Sequence, residues 1–218
     1  MDPEHPNVPS RAATAFRVAW LSILLGVAME ALLLVVATAF GRALLAKPVL
    51  ADSIQKISWS AIVCMGLALG TATSRMRGAA MGIAGFLAAP IAFYVARAFH
   101  KGANQALGLM TGAAAGPSPL ALATVKAVEY ACLGVVLGWA GKRQAGALAY
   151  AAIGLVVGIL FGGALLAMAI ASAPQPPATA EIVARAANEM IFPVGCSLVL
   201  YAAQFVGDRF VAPATTRG

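Results

Sequence analysis

The sequence predicts a polytopic α-helical membrane bundle of six transmembrane helices with both ends in the cytoplasm. Three observations carry that expectation. The 218-residue chain is 61% hydrophobic and only 11% charged, with a mean hydropathy of +0.86, whereas a soluble domain typically carries about 25% charge. Its apolar residues gather in six runs, and the shortest connectors between those runs are basic. No stretch reads as a soluble second domain, so the expected division is a polar cytoplasmic tail over 1–16, a membrane domain over 17–207 and a cytoplasmic tail over 208–218.

A membrane helix needs about 20 mainly apolar residues, because lipid offers no partner for an unpaired backbone group and a helix satisfies its own. Helix 1 is expected over Val18 to Gly41; its apolar run is too long for a signal-peptide core and lacks a cleavage site, so it stays in the mature protein. Helices 2 and 3 are expected over Ile57 to Thr73 and Ala79 to Ala98, and helices 4, 5 and 6 over Leu120 to Ala140, Ala145 to Ala171 and Met190 to Val206. Between helices 3 and 4, Gly102 to Pro119 is uncharged but too broken to span, and reads as re-entrant or interfacial. Pro174, Pro176 and Pro177 stop helix 5, and Glu181 to Arg185 reads as a short helix lying on the membrane.

Orientation follows from charge. Ser74-Arg75-Met76-Arg77-Gly78 and Gly141-Lys142-Arg143-Gln144 are basic turns that the positive-inside rule places in the cytoplasm. Arg11 and Arg17 before helix 1, and Arg209 and Arg217 after helix 6, agree. Arg42, Lys47 and Lys56, offset only by Asp52, dissent from the first outer loop. Trp20, Trp59 and Trp139 are each expected at a headgroup region, where indole rings concentrate.

An internal echo runs through the centre. Gly66-Leu67-Ala68-Leu69-Gly70 recurs as Gly134-Val135-Val136-Leu137-Gly138, and the same offset aligns Arg75 with Arg143, suggesting that helices 2 and 3 and helices 4 and 5 are related hairpins. These glycines, with Gly154, Gly158 and Gly162 in helix 5, recur every four residues and so mark helix-packing faces, either inside the monomer or in a homo-oligomer. Pro90 and Pro193 are expected to break the hydrogen-bond ladders of helices 3 and 6.

Charge inside the membrane selects the candidate site. Glu30, near the middle of helix 1, costs on the order of 3 kcal/mol to insert and must be paired, protonated or wet. It is either a coupling or binding carboxylate or an interhelical contact. Lys126 and Glu129, three apart on helix 4, share a face and can partly neutralise each other. Arg97, His100 and Glu189 are candidates for an outer mouth leading to Glu30, with Lys101 beside them; snorkelling to the headgroups is the alternative.

The positive net charge of +7 is scattered singly or in pairs, without the stripe or aromatic interleaving that a nucleic-acid surface needs, and is read as topology control. Cys64, Cys132 and Cys196 lie in apolar runs without metal-ligand spacing, and neither they nor His5 and His100 form a metal set. No phosphate loop, zincin, nucleophile elbow or catalytic triad pattern occurs, so neither a cofactor nor an enzyme is expected. The sequence therefore points to lipid as the main partner and to a small transporter or permease of the bacterial inner membrane. The alternative is a non-transporting subunit, serving either as an assembly or scaffold factor of a larger complex or as the substrate-capturing part of an importer.

Overall fold

The computed structural model describes residues 11–41, 45–71, 76–109 and 116–206. Among them the chain is all helical: α1 (Arg11–Ala39), α2 (Ala46–Gly70), α3 (Arg77–Ala106), α4 (Pro119–Lys142), α5 (Ala147–Ala171) and α6 (Thr179–Tyr201), extended by one π-helical turn, Ala202–Val206. All six helices are long and apolar enough to cross a membrane. The protein is a six-helix, multi-pass membrane bundle.

Local chemistry accounts for several helix ends. Ser118 caps α4, its hydroxyl accepting from the Ala121 N–H at 3.1 Å, with Pro119 in the first turn, where its missing N–H costs nothing. Leu107 and Gly108 close α3; Gly108 takes φ 68°, a left-handed conformation that a side chain would resist.

Three helices begin or end well beyond their apolar runs. The structure starts α2 at Ala46 rather than Ile57, carries α3 to Ala106 rather than Ala98, and starts α6 at Thr179 rather than Met190. Each extension contains charged residues that depress hydropathy but find partners once folded. In α2, Asp52 Oδ1 lies 3.0 Å from His100 Nε2 of α3, and Lys47 donates to the Leu107 carbonyl at 3.1 Å. Lys47, Asp52 and Lys56 therefore belong to α2 and not to an outer loop. Glu181 to Arg185 form no separate surface helix; they are the first turns of α6.

α1 is helical from Arg11, so residues 11–16 of the expected tail form its first turns. His5, Arg42, Ser74, Arg75, Arg209 and Arg217 lie outside the described residues, as do residues 110–115 of the segment read as re-entrant.

The helices follow one another around the bundle: α1 packs on α2, α2 on α3, α3 on α4, α5 on α6, and α6 returns to α1 and touches α2. Neighbours run antiparallel, since Gly26 faces Ile57, Gly70 faces Met81, Gly138 faces Gly78 and Gly158 faces Met190. Small residues set these distances. A Cβ on Gly85 would overlap the Tyr130 carbonyl, and one on Gly134 would overlap that of Met81. Close backbone approach replaces the hydrophobic effect as the source of cohesion in lipid.

Gly66 and Gly70 face α3 from α2, Gly134 and Gly138 face α3 from α4, and Gly154, Gly158 and Gly162 face α6. All of these glycines meet partners within the same chain. The two echoed pairs are not used equivalently, because both turn toward α3 instead of each closing its own hairpin. Pro90 and Pro193 lie inside continuous helices. Beside Pro193, whose carbonyl accepts from Ser197 Oγ at 2.8 Å, α5 approaches through Gly154. The fully buried centre includes Val63, Cys64, Leu67, Met81, Tyr130, Leu133, Leu137, Cys196 and Leu200.

Candidate functional site

Trp59 of α2 is the reference point for the interior. Its ring meets Tyr130 of α4 edge-on at 5.9 Å between centroids and Phe192 of α6 at 6.4 Å. It lies at mid-helix rather than near a helix end, because α2 begins 13 residues earlier, at Ala46. Trp20 and Trp139, by contrast, are exposed on the bundle surface.

The buried charges stand beside this aromatic cluster. Lys56 precedes Trp59 by one turn, Glu189 precedes Phe192 by one turn, and Glu129 adjoins Tyr130. Because α2, α4 and α6 run parallel, all these charges lie in one layer of the bundle. Glu30 joins it from α1, one turn beyond Gly26, which faces Ile57.

Within that layer the charges divide into two groups. Glu30 Oε2 lies 2.6 Å from Lys56 Nζ, with side chains 7% and 14% exposed. Lys126 Nζ lies 2.8 Å from Glu129 Oε2 and 2.6 Å from Glu189 Oε2. These are charge contacts more than aligned hydrogen bonds, since the same carboxylate oxygens have no oriented donor. The Lys126 ammonium also stands 5.7 Å from the Trp59 ring and 5.8 Å from that of Tyr130, within cation–π range.

The two groups differ in balance. Glu30 and Lys56 neutralise each other one to one. Lys126 serves two carboxylates, Glu129 is wholly buried, and its Oε1 has no hydrogen-bond partner among the described residues. Burying ions costs several kcal/mol each, so an arrangement with one positive charge among three groups is not what packing alone selects.

A small pocket of about 80 Å³ opens onto Lys126 and Glu189 of this triad, with Glu129 buried behind them. Its wall is formed by Phe93 of α3, Leu122 and Lys126 of α4, Leu165 of α5, and Arg185 and Glu189 of α6. It exists because α4 and α5, joined by the tight turn through Gln144, part company toward their other ends; the two helices meet over less of their length than other successive pairs.

The structure thus brings together three of the expected site residues, Lys126, Glu129 and Glu189, and moves Glu189 from an outer mouth to the triad itself. Glu30 belongs to a separate pair. Arg97 is exposed on α3, and His100 pairs with Asp52 and lies 3.4 Å from Asn104; neither reaches the triad.

Sequence reasoning missed Lys56, Trp59, Tyr130 and Arg185 as members of this layer. The signal for Lys56 lay in hairpin register, since Glu30 and Lys56 are equally far from the connector, but only with α2 drawn from Ala46. Arg185 was legible as the residue one helical turn before Glu189.

Among the described residues, no group of three or more His, Cys, Asp or Glu side chains gathers at metal-binding distance. Cys64 and Cys196 are free, buried thiols with their sulfurs 3.4 Å apart, and Cys132 is exposed. No family model matches the chain, and no curated protein or solved structure matches it.

Proposed function

We propose that this chain is a non-enzymatic transport protein of the cytoplasmic membrane that moves a small solute or ion, with both termini in the cytoplasm. Its solute site is the pocket between α3, α4, α5 and α6, and its coupling groups are Lys126, Glu129 and Glu189. The observation that carries this reading is the single buried lysine shared by two glutamates from different helices, with a pocket opening onto it. Intramembrane ionisable groups are expensive and mark substrate or ion pathways by default. One ammonium holds both carboxylates at once, Glu129 at 2.8 Å and Glu189 at 2.6 Å, so a charge entering the pocket competes for a contact that Lys126 already makes. Glu30 has a dedicated partner in Lys56 and holds α1 against α2.

The test is flux through vesicles reconstituted with the purified chain, screened with protons, alkali cations, amines, amino acids and carboxylates. The expected result is at least one flux above that of protein-free vesicles, lost in Glu129→Gln and Glu189→Gln and retained in Glu30→Gln. If every flux equals that of protein-free vesicles, or the two triad variants carry solute as well as the unmodified chain, the transport reading fails. Co-purification of a stoichiometric partner under mild extraction, together with absent flux, would establish the alternative of a non-transporting subunit.

A further inference from the structure

Resting on that reading, we propose that the pocket takes a small monoanion, an oxyanion carried on a short apolar stem, with Arg185 as its anchor. The charges that line the pocket are Lys126, Glu189 and Arg185. Lys126 and Glu189 hold each other at 2.6 Å, and Glu129 lies wholly buried behind Lys126, out of reach of a ligand. Arg185 is left over. Glu181 and Glu189 stand one helical turn to either side of it on α6, yet among the described residues no carboxylate forms an ion pair with it. The lining therefore carries one uncompensated positive charge, on a helix long and apolar enough to span the membrane. Such a charge is expensive until an anion meets it.

That single excess decides among ligand classes. A cation would meet the Arg185 guanidinium and find no unclaimed carboxylate in the lining. A zwitterion would place its anionic end on Arg185 and leave its ammonium without a partner. A monoanion matches the excess, and a planar carboxylate matches the guanidinium through two parallel hydrogen bonds. Glu189 follows Arg185 by four residues, roughly 6 Å along the helix axis. The anion thus comes within about one helical turn of the contact between Glu189 and Lys126. Phe93, Leu122 and Leu165 complete the wall with apolar surface that takes the stem. The volume of about 80 Å³ is well below that of drug-sized sites and holds the stem to a few carbons.

Two sources share this chemistry: a free short-chain carboxylate, and the phosphodiester of an anionic phospholipid reaching in from the bilayer. The experiment measures thermal stabilisation of the full chain by sodium acetate, propionate and butyrate, each against sodium chloride at the same ionic strength. Propionamide and butyramide keep the stem without the charge, propylamine reverses the charge, and β-alanine adds an ammonium. The series is run in phosphatidylcholine bicelles with and without phosphatidylglycerol.

The expected result is stabilisation by the carboxylates, with affinity rising roughly threefold for each methylene from acetate to butyrate. The amides, the amine and β-alanine should bind at least about tenfold more weakly than propionate, and Arg185→Gln should weaken carboxylate binding by at least about the same factor, the loss of one charge-assisted contact. Arg185→Lys, which keeps the charge without the planar fork, should fall between. Stabilisation by phosphatidylglycerol alone, lost in Arg185→Gln, also upholds the proposal and assigns the lipid as the source. The proposal is overturned if the amides or β-alanine bind as well as propionate, if neither the carboxylates nor phosphatidylglycerol stabilise the chain, or if Arg185→Gln leaves the stabilisation unchanged. Arg185 is exposed and its substitution does not threaten folding.

The outcomes also separate this proposal from the one beneath it. Glu129-dependent flux of a cation, without carboxylate binding, sinks the substrate class and leaves transport standing. Carboxylate binding without any flux upholds the site and sinks transport.

Discussion

Replacing Lys56 with Met should destabilise the bundle by about 3–5 kcal/mol, because it strands the Glu30 carboxylate in the interior. With Nζ and Oε2 at 2.6 Å, the direct attraction is about 6 kcal/mol at an effective dielectric constant of about 20. Desolvating the two ions costs several kcal/mol each, so the pair as a whole contributes little net stability. That balance makes the single and double variants behave differently. Glu30→Gln should cost less than Lys56→Met, since the lysine is twice as exposed as the glutamate, can swing its ammonium toward a polar boundary, and would still face an amide oxygen. Glu30→Gln combined with Lys56→Met leaves no charge at this contact and should cost less than Lys56→Met alone, giving a coupling energy of at least about 2 kcal/mol. The assay is equilibrium unfolding of the four proteins in bicelles. Additive single and double variants, or a Lys56→Met cost below about 0.5 kcal/mol, would show that the two side chains do not meet and that Glu30 faces something else.

Three further outcomes follow from the packing. Gly134→Leu should cost several kcal/mol or prevent folding, because its side chain would enter the Met81 backbone, whereas Gly163→Ala, which meets nothing within 4 Å, should be neutral to within about 0.5 kcal/mol in the same unfolding assay. In a Cys132→Ser background, the buried Cys64 and Cys196 should resist maleimide in the folded protein and both react after denaturation, as counted by mass spectrometry. Asp52→Asn should cost no more than about 1 kcal/mol, because its contact with His100 is partly solvated at 45% and 32% exposure; a larger loss by thermal unfolding would mean that this end of the bundle is more enclosed than the geometry shows.

The number and apolar character of the helices were legible because lipid imposes a length on every span, and apolar runs of that length are unmistakable. The helix ends were not. Ala46 to Lys56, Phe99 to Ala106 and Thr179 to Glu189 are helical despite Lys47, Asp52, Lys56, His100, Lys101, Glu181 and Arg185. Hydropathy treats each charge as a reason to stop, whereas the folded chain pairs several of them across helices or leaves them on the surface.

The site divided in the same way. Lys126 with Glu129 was readable as neighbours three apart on one helix, a purely local relation. The pairing of Glu30 with Lys56, the addition of Glu189 to the triad and the placement of Trp59 over Lys126 depend on which helices adjoin. That is decided by glycine contacts distributed over the whole chain.

The echoed glycines show how local similarity and three-dimensional use can diverge. Were helices 2 and 3 and helices 4 and 5 equivalent hairpins, Gly134 and Gly138 would face α5 as Gly66 and Gly70 face α3. Instead both pairs press on α3 from its two sides, Gly70 against Met81 from α2 and Gly134 against the same residue from α4. A helix gripped on both flanks requires small residues four apart on each neighbour, whatever their ancestry, so packing on α3 is sufficient to produce the echo. The consequence for the candidate site is direct. With α4 drawn tightly to α3 by these glycines and α5 drawn to α6 by Gly154, Gly158 and Gly162, the α4–α5 boundary is the place left loosely packed. The pocket over Lys126 and Glu189 opens along it.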